Sequence, residues 1–425
     1  MNEYIYSFSG KKANLRNILH CDMNNFYASV ECMLEPKLKN YPVAVCGRVE
    51  DRHGIVLAKN YHAKKFDVAT GDTVWMAKKK CPELVIVEPH FDEYLKYSSL
   101  AKQIYCQYTD MVEPFGLDEC WLDVTASELL FGAPDTIAQK IRETIKNDLG
   151  LTISVGVSFN KIFAKLGSDM KKPDAVTVIN HDDFKEKIWN LPVCNLFGVG
   201  RATDSALKKV YINTIGDLAR CDPAFLQSRF GKNGVKLWQY ANGADDSEVE
   251  KIDYNRTVKS VGHGTTTPSD LKNNDEVWKV ILQLTQDIAH RLKAYGLRAN
   301  GVSVSVRDCN FCAKQWQKKL ESPSQCTIII AKSAFELFRQ SYKWNKDIRS
   351  VTVTAIDLVP KDIPKQDSVF SDSEKTERLE KLDNCIEQIR NRFGKSIIKN
   401  AVLCGNDVRS SPLSSVAFSK ANSYI

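Results

Sequence analysis

The sequence lacks any long apolar run. Nowhere in its 425 residues does an apolar stretch approach the ~18 consecutive residues that span a bilayer. The first residues, MNEYIYSFSGKKANLRN, also lack the basic segment followed by an apolar core that marks an export signal. We therefore expect neither membrane insertion nor secretion, and we predict a cytoplasmic protein.

The dense cysteine spacing of secreted disulfide scaffolds is missing too. The 13 cysteines, an odd number, are scattered through strand-like and helix-like segments, which favours a reducing compartment. Cys309 and Cys312 form the only C-x-x-C pair in the sequence. Because no second pair or nearby histidine completes a set of four ligands, ordinary packing is favoured over a zinc site.

The sequence has only a small excess of charge of one sign. The formal net charge is +7, from 59 basic and 52 acidic residues. Between Thr257 and Lys361, however, 16 Lys or Arg residues stand against 9 Asp or Glu residues, so this segment carries the whole excess. Such a segment is either a solvated basic face or a binding surface for a polyanion such as duplex DNA.

The length and the hydrophobic pattern predict several domains with an α/β core. A chain of 425 residues exceeds what one hydrophobic core usually serves. The segment 16–22 is an apolar run that ends in an acid, which predicts a buried strand, and a second strand-like pattern surrounds residues 115–124. A predicted helix at 134–149 leads to a third strand-like segment at 152–157.

The pattern changes after residue 192. Short helices punctuated by glycine predict a helical unit at 192–222, and a polar stretch at 242–255 predicts a linker. Period-two and helical patterns then predict a small sheet backed by helices, followed by a last helix. These predicted elements are strands at 301–307 and 350–357 and helices at 277–295, 332–342 and 377–393.

Three acids stand in apolar surroundings. Asp22 ends the first predicted strand, and Asp118 and Glu119 are adjacent within the segment FGLDECWL. Adjacent buried acids are costly without cations, and carboxylate oxygens are ligands that Mg²⁺ prefers. From these residues alone, a magnesium site and a solvated turn both remain open.

The sequence around these acids resembles the Y family of DNA polymerases. The segment DMNNFYASVE, which begins at Asp22, is similar to the family's first motif, and LDECWLDVT, which begins at Leu117, is similar to its second. Further similar blocks are NYHAKKF from Asn60, VGVSFNKIFAK from Val155 and SDMKKP from Ser168. The blocks occur in the family's order and spacing, and weaker similarity continues to about residue 359.

The resemblance implies an α/β fold, the right-hand polymerase with palm, fingers, a helical thumb and a C-terminal little finger. The implied activity is template-directed DNA synthesis of low fidelity, with bypass of lesions in DNA damage tolerance. The expected boundaries are a palm at 1–26 and 92–179, fingers at 27–91, a thumb with a helix-hairpin-helix at 180–247, a linker at 248–256, a little finger at 257–361 and a tail at 362–425.

Carried over position by position, the resemblance implies a metal site and a nucleotide site. Asp22, Asp118 and Glu119 would be the catalytic carboxylates that hold two Mg²⁺ ions, with the backbone carbonyl of Met23 as a further ligand. Tyr27 would be the steric gate, an aromatic ring that excludes a ribose 2′-hydroxyl. The residues that would contact the incoming triphosphate are Tyr61, Lys64 and Lys172.

Three positions depart from the family's pattern. Lys64 stands where an arginine is usual, so a bidentate fork is replaced by a point charge. Ala58 replaces a common hydroxyl residue and removes one hydrogen bond to the triphosphate. Asn24 stands where many members have a second aspartate. That position is not one of the three metal ligands, so we expect metal binding to be retained.

Two further segments resemble parts that bind DNA. Gly198 and Gly200 lie in FGVG, which is similar to the glycine turn of a helix-hairpin-helix, where backbone N–H groups approach a phosphate closely. A plain helix-helix turn is the alternative. In the basic segment, Lys259, Arg298 and Arg307 are the expected phosphate contacts.

The segment QDSVF resembles a clamp-binding peptide. Gln366, Val369 and Phe370 would dock in a pocket of a sliding clamp, and ordinary linker is the alternative. The other implied partners are primed template DNA and deoxynucleoside triphosphates. We expect a monomer, associated with a bacterial nucleoid.

Two other functions remain to be weighed. Because of the departures at Ala58 and Lys64, a catalytically weak module that binds DNA and a clamp stays open. A palm-type nucleotide cyclase would account for the acids but not for the segments expected to bind DNA. Extension of a primed template in the presence of magnesium discriminates among the three.

Overall fold

The computed structural model describes residues 16–48, 54–254, 257–363, 373–394 and 397–404. Its strands are β1 (Ile18–Met23), β2 (Val43–Cys46), β3 (Val56–Lys59), β4 (Val85–Val87), β5 (Val112–Phe115), β6 (Glu119–Asp123), β7 (Ile153–Ser158), β8 (Val176–Ile179), β9 (Val261–Leu271), β10 (Leu297–Asp308), β11 (Ala313–Ser324) and β12 (Ile348–Pro360).

Its helices lie between and after these strands. They are α1 (Phe26–Leu34), α2 (Tyr61–Lys64), α3 (Val74–Lys80), α4 (Phe91–Tyr105), α5 (Glu128–Phe131), α6 (Pro134–Leu149), α7 (Lys161–Met170), α8 (Phe184–Ile188), α9 (Arg201–Lys208), α10 (Ile215–Arg220), α11 (Pro223–Ala241), α12 (Asn274–Ala294), α13 (Thr327–Ser341) and α14 (Ser373–Phe393). Among the residues described, no helix is long and apolar enough to cross a bilayer.

The first unit is built on a sheet with the strand order β5-β6-β1-β7-β8. β1 lies at its centre and pairs antiparallel with both β6 and β7. Side chains on successive residues of a strand point to opposite faces, so Leu19 joins the core under α4 and α6, while Ile18 packs with Ala164 of α7 on the other face. Asp22, next to the last residue of β1, is therefore held by a strand covered on both faces.

The ends of α6 explain why the sequence predicted it well. Pro134 occupies the first turn, where its missing N–H costs nothing, and Gly150 closes the helix in the left-handed conformation at φ 67°. Its apolar residues Ile137, Ile141 and Ile145 recur at helical spacing and are fully buried. The predicted helix at 134–149 is confirmed.

A small unit follows α1 along the chain. Its sheet has the order β3-β2-β4, antiparallel between β2 and β3 and parallel between β2 and β4. Asn60 fixes the next helix, because its Oδ1 accepts from Ala63 N (3.0 Å) and Val43 N (3.0 Å). The start of α2 is thereby anchored to β2.

A helical unit contains α8 to α11 and shares its core with the apolar face of α7. Thr214 and Asp217 form a capping box at the start of α10. α11 is interrupted at Gly231, whose φ of 63° and ψ of −153° are not helical. The helical unit predicted around 192–222 is thus present and extends to residue 241.

The last unit is a sheet of order β11-β10-β12-β9 with α12 and α13 packed on one face. β9 and β11 were not predicted from the sequence. Their patterns, VGHGTTTPSDL and AKQWQKKLESPS, contain few apolar residues, so pairing with β12 and β10 rather than local periodicity defines them. α14 lies against α12, where Lys293 Nζ and His290 contact Asp383 and Glu387.

The polar segment after α11 is not a free linker over its described length. Arg16 donates to the backbone carbonyls of residues 245–247. Val249 is buried, and Ile252 N donates to Asp110 O (3.4 Å). The segment is tied to the first unit by the Arg16 side chain and by the backbone of Asp110, which a polar sequence does not reveal.

Candidate active site

The three predicted carboxylates meet at one end of the first sheet. Asp22 and Glu119 are direct partners across the antiparallel pair β1 and β6. Asp118 lies in the turn that leads into β6, and its backbone carbonyl accepts from Met23 N (3.0 Å). Strand pairing therefore brings together acids that are nearly 100 positions apart in the sequence.

These acids are withdrawn from solvent, and their pKa values show the effect. Burial raises the pKa of Asp118 to about 7, and the negative charges of Asp22 and Glu119 add to the shift. Burial also raises the pKa of Asp22, against the opposing effect of Lys172. The site thus concentrates more negative charge than its surroundings neutralise.

Two lysines from the α7 region contact the acids. Lys165 forms an ion pair with Glu119, and Lys172 Nζ lies 2.6 Å from Asp22 Oδ2. Burial alone would raise the pKa of Glu119, but His20 and Lys165 outweigh it and lower that pKa to about 2. Burial alone would lower the pKa of Lys172, but the nearby carboxylates of Asp22 and Asp169 raise it.

The positions of the three carboxylates determine whether they could bind a metal ion. In the part of the chain that the structure describes, no three His, Cys, Asp or Glu side chains are gathered closely enough to hold a metal ion as they stand. The chemistry of the donors nevertheless fits a hard divalent cation, because three carboxylates share one buried end of the sheet. The raised pKa of Asp118 shows that added positive charge would stabilise its ionised form.

Tyr27 lies on α1 beside the acids. Its ring stacks on Tyr94 with centroids 4.3 Å apart and an interplanar angle of 8°, and Phe91 meets it edge-on. Burial raises the pKa of Tyr27 to about 12, with a further contribution from the charge of Asp118. The structure therefore places a rigidly packed aromatic ring within electrostatic reach of a predicted metal ligand.

The predicted triphosphate contacts come from two units. Tyr61 begins α2, and its pKa is raised by burial and responds to the charges of Lys172 and Asp22. Lys64 Nζ lies 5.8 Å from the centroid of the Tyr61 ring. Ala58, one of the three departures from the family's pattern, pairs with Val45 in the same small sheet. Tyr61 and Lys172 are thus brought to one region, with Lys64 next to Tyr61.

Asn24 has a structural role in this chain. Its Nδ2 donates to Ser154 Oγ (2.9 Å), and its Oδ1 accepts from Asp174 N (2.9 Å). The side chain is buried and joins the end of β1 to β7 and to the loop that carries Lys172. An amide suits this place because it both donates and accepts, whereas an ionised aspartate only accepts.

The basic residues predicted to meet DNA lie on or next to the last sheet. In β10 the residues Ala299, Val302, Val304 and Val306 belong to the core under α12 and α13. Arg298 and Arg307 therefore point to the opposite face, away from these helices. Lys259 is exposed just before β9.

The remaining predicted contacts are two glycines and a peptide. Gly198 has a φ of 90°, which a residue with a side chain rarely adopts, and Gly200 is the N-cap of α9. Open space surrounds the position of a Cβ at Gly200. The clamp-peptide residues Gln366, Val369 and Phe370 lie outside the described residues.

Three site residues were not singled out from the sequence. His20 and Ser168 are buried beside Glu119 and Lys165, and Lys165 itself forms the ion pair with Glu119. One signal was present, because a lone histidine in the apolar run ILHCDM, two residues before an acid, must find a polar partner once buried. Lys165 ends the block VGVSFNKIFAK, in which the resemblance assigns it no role.

Comparisons with known proteins agree with this geometry. The profile of the impB/mucB/samB family matches residues 21–169, that of its C-terminal domain matches 258–368, and a thumb domain described for DNA polymerase-iota matches 194–245. A DNA polymerase IV of Acetivibrio thermocellus is 52% identical over 388 residues, which cover 91% of this chain and 97% of that protein. The chain belongs to the Y family of DNA polymerases.

Other relatives of the polymerase extend the similarity. A DNA polymerase IV of Moorella thermoacetica is 37% identical and covers 91% of this chain and 96% of that protein. The DNA polymerase IV 1 of Bacillus subtilis is 35% identical, and the match covers 90% of this chain and 92% of that protein. A solved chimeric Y-family DNA polymerase has the same fold, with a TM-score of 0.71 at 24% identity over 81% of this chain and 99% of that one. The predicted family and the predicted palm, fingers, thumb and little-finger layout are confirmed.

Proposed function

We propose that this translesion DNA polymerase uses Asp22, Asp118 and Glu119 as its metal-binding carboxylates. Membership of the Y family establishes the activity, template-directed DNA synthesis with a divalent metal. The observation that carries the assignment is the pairing of Asp22 with Glu119 across β1 and β6, with buried Asp118 in the adjoining turn. The Met23 carbonyl is a proposed further ligand.

In the proposed reaction the primer 3′-hydroxyl attacks the α-phosphate of a deoxynucleoside triphosphate, and pyrophosphate leaves. Two Mg²⁺ ions, when bound, would acidify the attacking hydroxyl and offset charge on the leaving group. Asp22, Asp118 and Glu119 would supply the negative charge that holds these ions. Because burial excludes water, these charges act more strongly than they would at the surface.

The proposed triphosphate site is formed by Tyr61, Lys64 and Lys172. Lys172 pairs with Asp22 in this structure, and a triphosphate would offer its ammonium group a second anionic partner. Lys64 is a point charge rather than a fork, so it attracts phosphate without fixing two oxygens at once. Tyr27, stacked on Tyr94, would act as the rigid wall against a ribose 2′-hydroxyl.

The proposed DNA contacts follow the outer face of the last sheet and the glycine turn. Arg298, Arg307 and Lys259 carry positive charge there, and the whole excess charge of the chain falls in this segment. Gly198, with a φ of 90°, and Gly200, whose Cβ position has nothing within 4 Å, would let the backbone approach a phosphate closely. We also propose the boundaries given above for the four domains, and a monomer as the active form.

We further propose that the polymerase binds a sliding clamp through Gln366, Val369 and Phe370. The supporting observation is the QDSVF sequence between the little finger and α14. Surface plasmon resonance with immobilised clamp should show binding that is lost when Gln366 and Phe370 are both changed to alanine. Equal binding by the double variant would refute the assignment.

The proposed active site is tested by Asp118→Asn. The substitution removes a charge with little change in volume, so primer extension with Mg²⁺ should be abolished while affinity for primed DNA is kept. Asp123→Asn is the matched control, since Asp123 lies at the end of β6 away from the turn that holds Asp118 and should retain extension. Extension by Asp118→Asn at the unsubstituted rate would overturn the proposal, and its loss argues against the weak-module alternative.

A further inference from the structure

His20 is a fully buried polar side chain in the middle of β1. It lies two residues before Asp22 and faces Trp121 across the strand pair, with ring centroids 5.2 Å apart in an edge-on arrangement. Burying an imidazole without polar partners costs free energy. The groups around His20 therefore indicate its role. Both of its nitrogens point at polar groups.

The two nitrogens have different neighbours. His20 Nδ1 lies 2.8 Å from Ser168 Oγ, and His20 Nε2 lies 3.4 Å from Glu119 Oε2. The first distance is that of a hydrogen bond, and the second is longer than the usual ~2.9 Å. Nε2 is fully enclosed and forms no hydrogen bond among the described residues, so Glu119 Oε2 at 3.4 Å is its polar neighbour and not a bonded acceptor.

The placement of hydrogens can be restricted without knowing the charge of the ring. Ser168 Oγ is also 2.8 Å from Lys165 O, and a hydroxyl has one hydrogen for either Lys165 O or His20 Nδ1. An ionised Glu119 only accepts, so a bare Nε2 lone pair facing it would be repelled. Both the Nε2–H tautomer and the imidazolium avoid this, and both place a proton on the nitrogen that lies 3.4 Å from Glu119 Oε2.

The fold brings these groups together through Gly156. This residue pairs with His20 on the other side of β1. A Cβ on Gly156 would lie 1.8 Å from Ala164 O and 2.5 Å from Ser168 N, so α7 lies directly on the sheet at this point. The close approach brings Ser168 to His20 and Lys165 to Glu119 from the same helix.

We propose that His20 is a positioning residue for Glu119. Held by Ser168 at one nitrogen, the ring directs its other nitrogen at the carboxylate and fixes the orientation in which Glu119 meets a divalent cation. Groups behind a metal ligand commonly act in this way, and their loss typically weakens metal affinity by about 10- to 100-fold. The inference rests on the proposed role of Glu119 as a metal ligand.

The test uses three substitutions that separate the two nitrogens. The amide nitrogen of His20→Gln can occupy the place of Nε2, that of His20→Asn the place of Nδ1, and His20→Phe keeps the ring contact with Trp121 alone. Mn²⁺ affinity is measured by electron paramagnetic resonance on the full chain without nucleotide. We expect His20→Asn and His20→Phe to bind Mn²⁺ about tenfold more weakly, and His20→Gln to stay close to the unsubstituted chain.

A second readout and a control separate positioning from stability. The Mg²⁺ concentration for half-maximal primer extension should rise in the Asn and Phe variants, while affinity for primed DNA is unchanged. Val155→Ala is the control, because Val155 is a buried residue of β7 that pairs with Cys21, and its truncation should lower stability without shifting the metal dependence.

Two results would overturn the inference. One is unchanged Mn²⁺ affinity in both His20→Asn and His20→Phe, and the other is a defect in His20→Gln as large as that in His20→Phe. Failure of the proposed function is distinguishable, because then Asp118→Asn would retain both extension and metal binding. The inference fails alone when Asp118→Asn is inactive and the His20 variants bind metal normally.

Discussion

Gly156→Ala tests how closely α7 approaches the first sheet. The added methyl would lie 1.8 Å from Ala164 O and 2.5 Å from Ser168 N, whereas real Cβ contacts stay above 3.0 Å. Both obstacles are backbone atoms, so no side-chain rotation relieves the overlap. The helix must therefore move outward by about 1 Å at this point or the strand must bend.

The expected cost follows from this geometry. Overpacking a core typically costs about 1–3 kcal/mol, and a clash with two backbone atoms of one helix belongs at the upper end. We expect the free energy of unfolding to fall by about 3 kcal/mol, a large part of the ~5–15 kcal/mol of an ordinary domain. Because α7 carries Lys165 and Ser168, a shift of ~1 Å should also lower the rate of primer extension about 100-fold.

Urea denaturation followed by circular dichroism measures the first effect, and single-nucleotide extension the second. Gly200→Ala is the matched substitution, since nothing lies within 4 Å of its Cβ position and its φ is −81°. Its cost should be about 1 kcal/mol or less, as for a changed helix cap. A Gly156→Ala protein as stable and as active as the unsubstituted one would refute the close packing of α7 on β7.

Three further predictions follow from the contacts described. Tyr27→Ala should raise ribonucleotide incorporation about tenfold or more, since steric overlap costs ~1–3 kcal/mol. Tyr27→Phe should keep the selection against ribonucleotides. Unchanged sugar selection in the alanine variant would contradict the role of Tyr27 as the steric gate. Glu113→Ala should cost about 3–5 kcal/mol in urea titrations, because it removes the carboxylate 2.6 Å from the buried ammonium of Lys161 and leaves that charge with the neutral Glu248 carbonyl (3.2 Å) and the Trp121 ring. A loss under ~1 kcal/mol would exclude this. The pKa of Asp118 is raised from 3.8 to about 7, so the stability that its protonation gives the metal-free fold is lost as pH rises through about 7. Because a cation needs the ionised form, Mg²⁺ should raise the melting temperature more at pH 8 than at pH 6, and equal shifts would argue against Asp118 as a ligand.

The elements that the sequence predicted correctly are those whose local residue pattern is enough to specify them. The helix Pro134–Leu149 was found to the residue, because a proline starts it, a glycine ends it and its isoleucines keep one face. The strand Ile18–Met23, which carries Asp22, was found because both of its faces are covered and its pattern is apolar. β9 and β11 were missed, since each keeps one polar face and is held by its partner strand.

The candidate site divides in the same way. The sequence by itself determined the family, the three acids and the aromatic ring of Tyr27, because these lie in short contiguous motifs. Only the tertiary structure decided that Lys172 pairs with Asp22, that Lys165 pairs with Glu119 and that Asn24 braces the adjoining loop. Each of these contacts joins residues at least 46 positions apart, so strand register and the packing of α7, rather than local pattern, determine them.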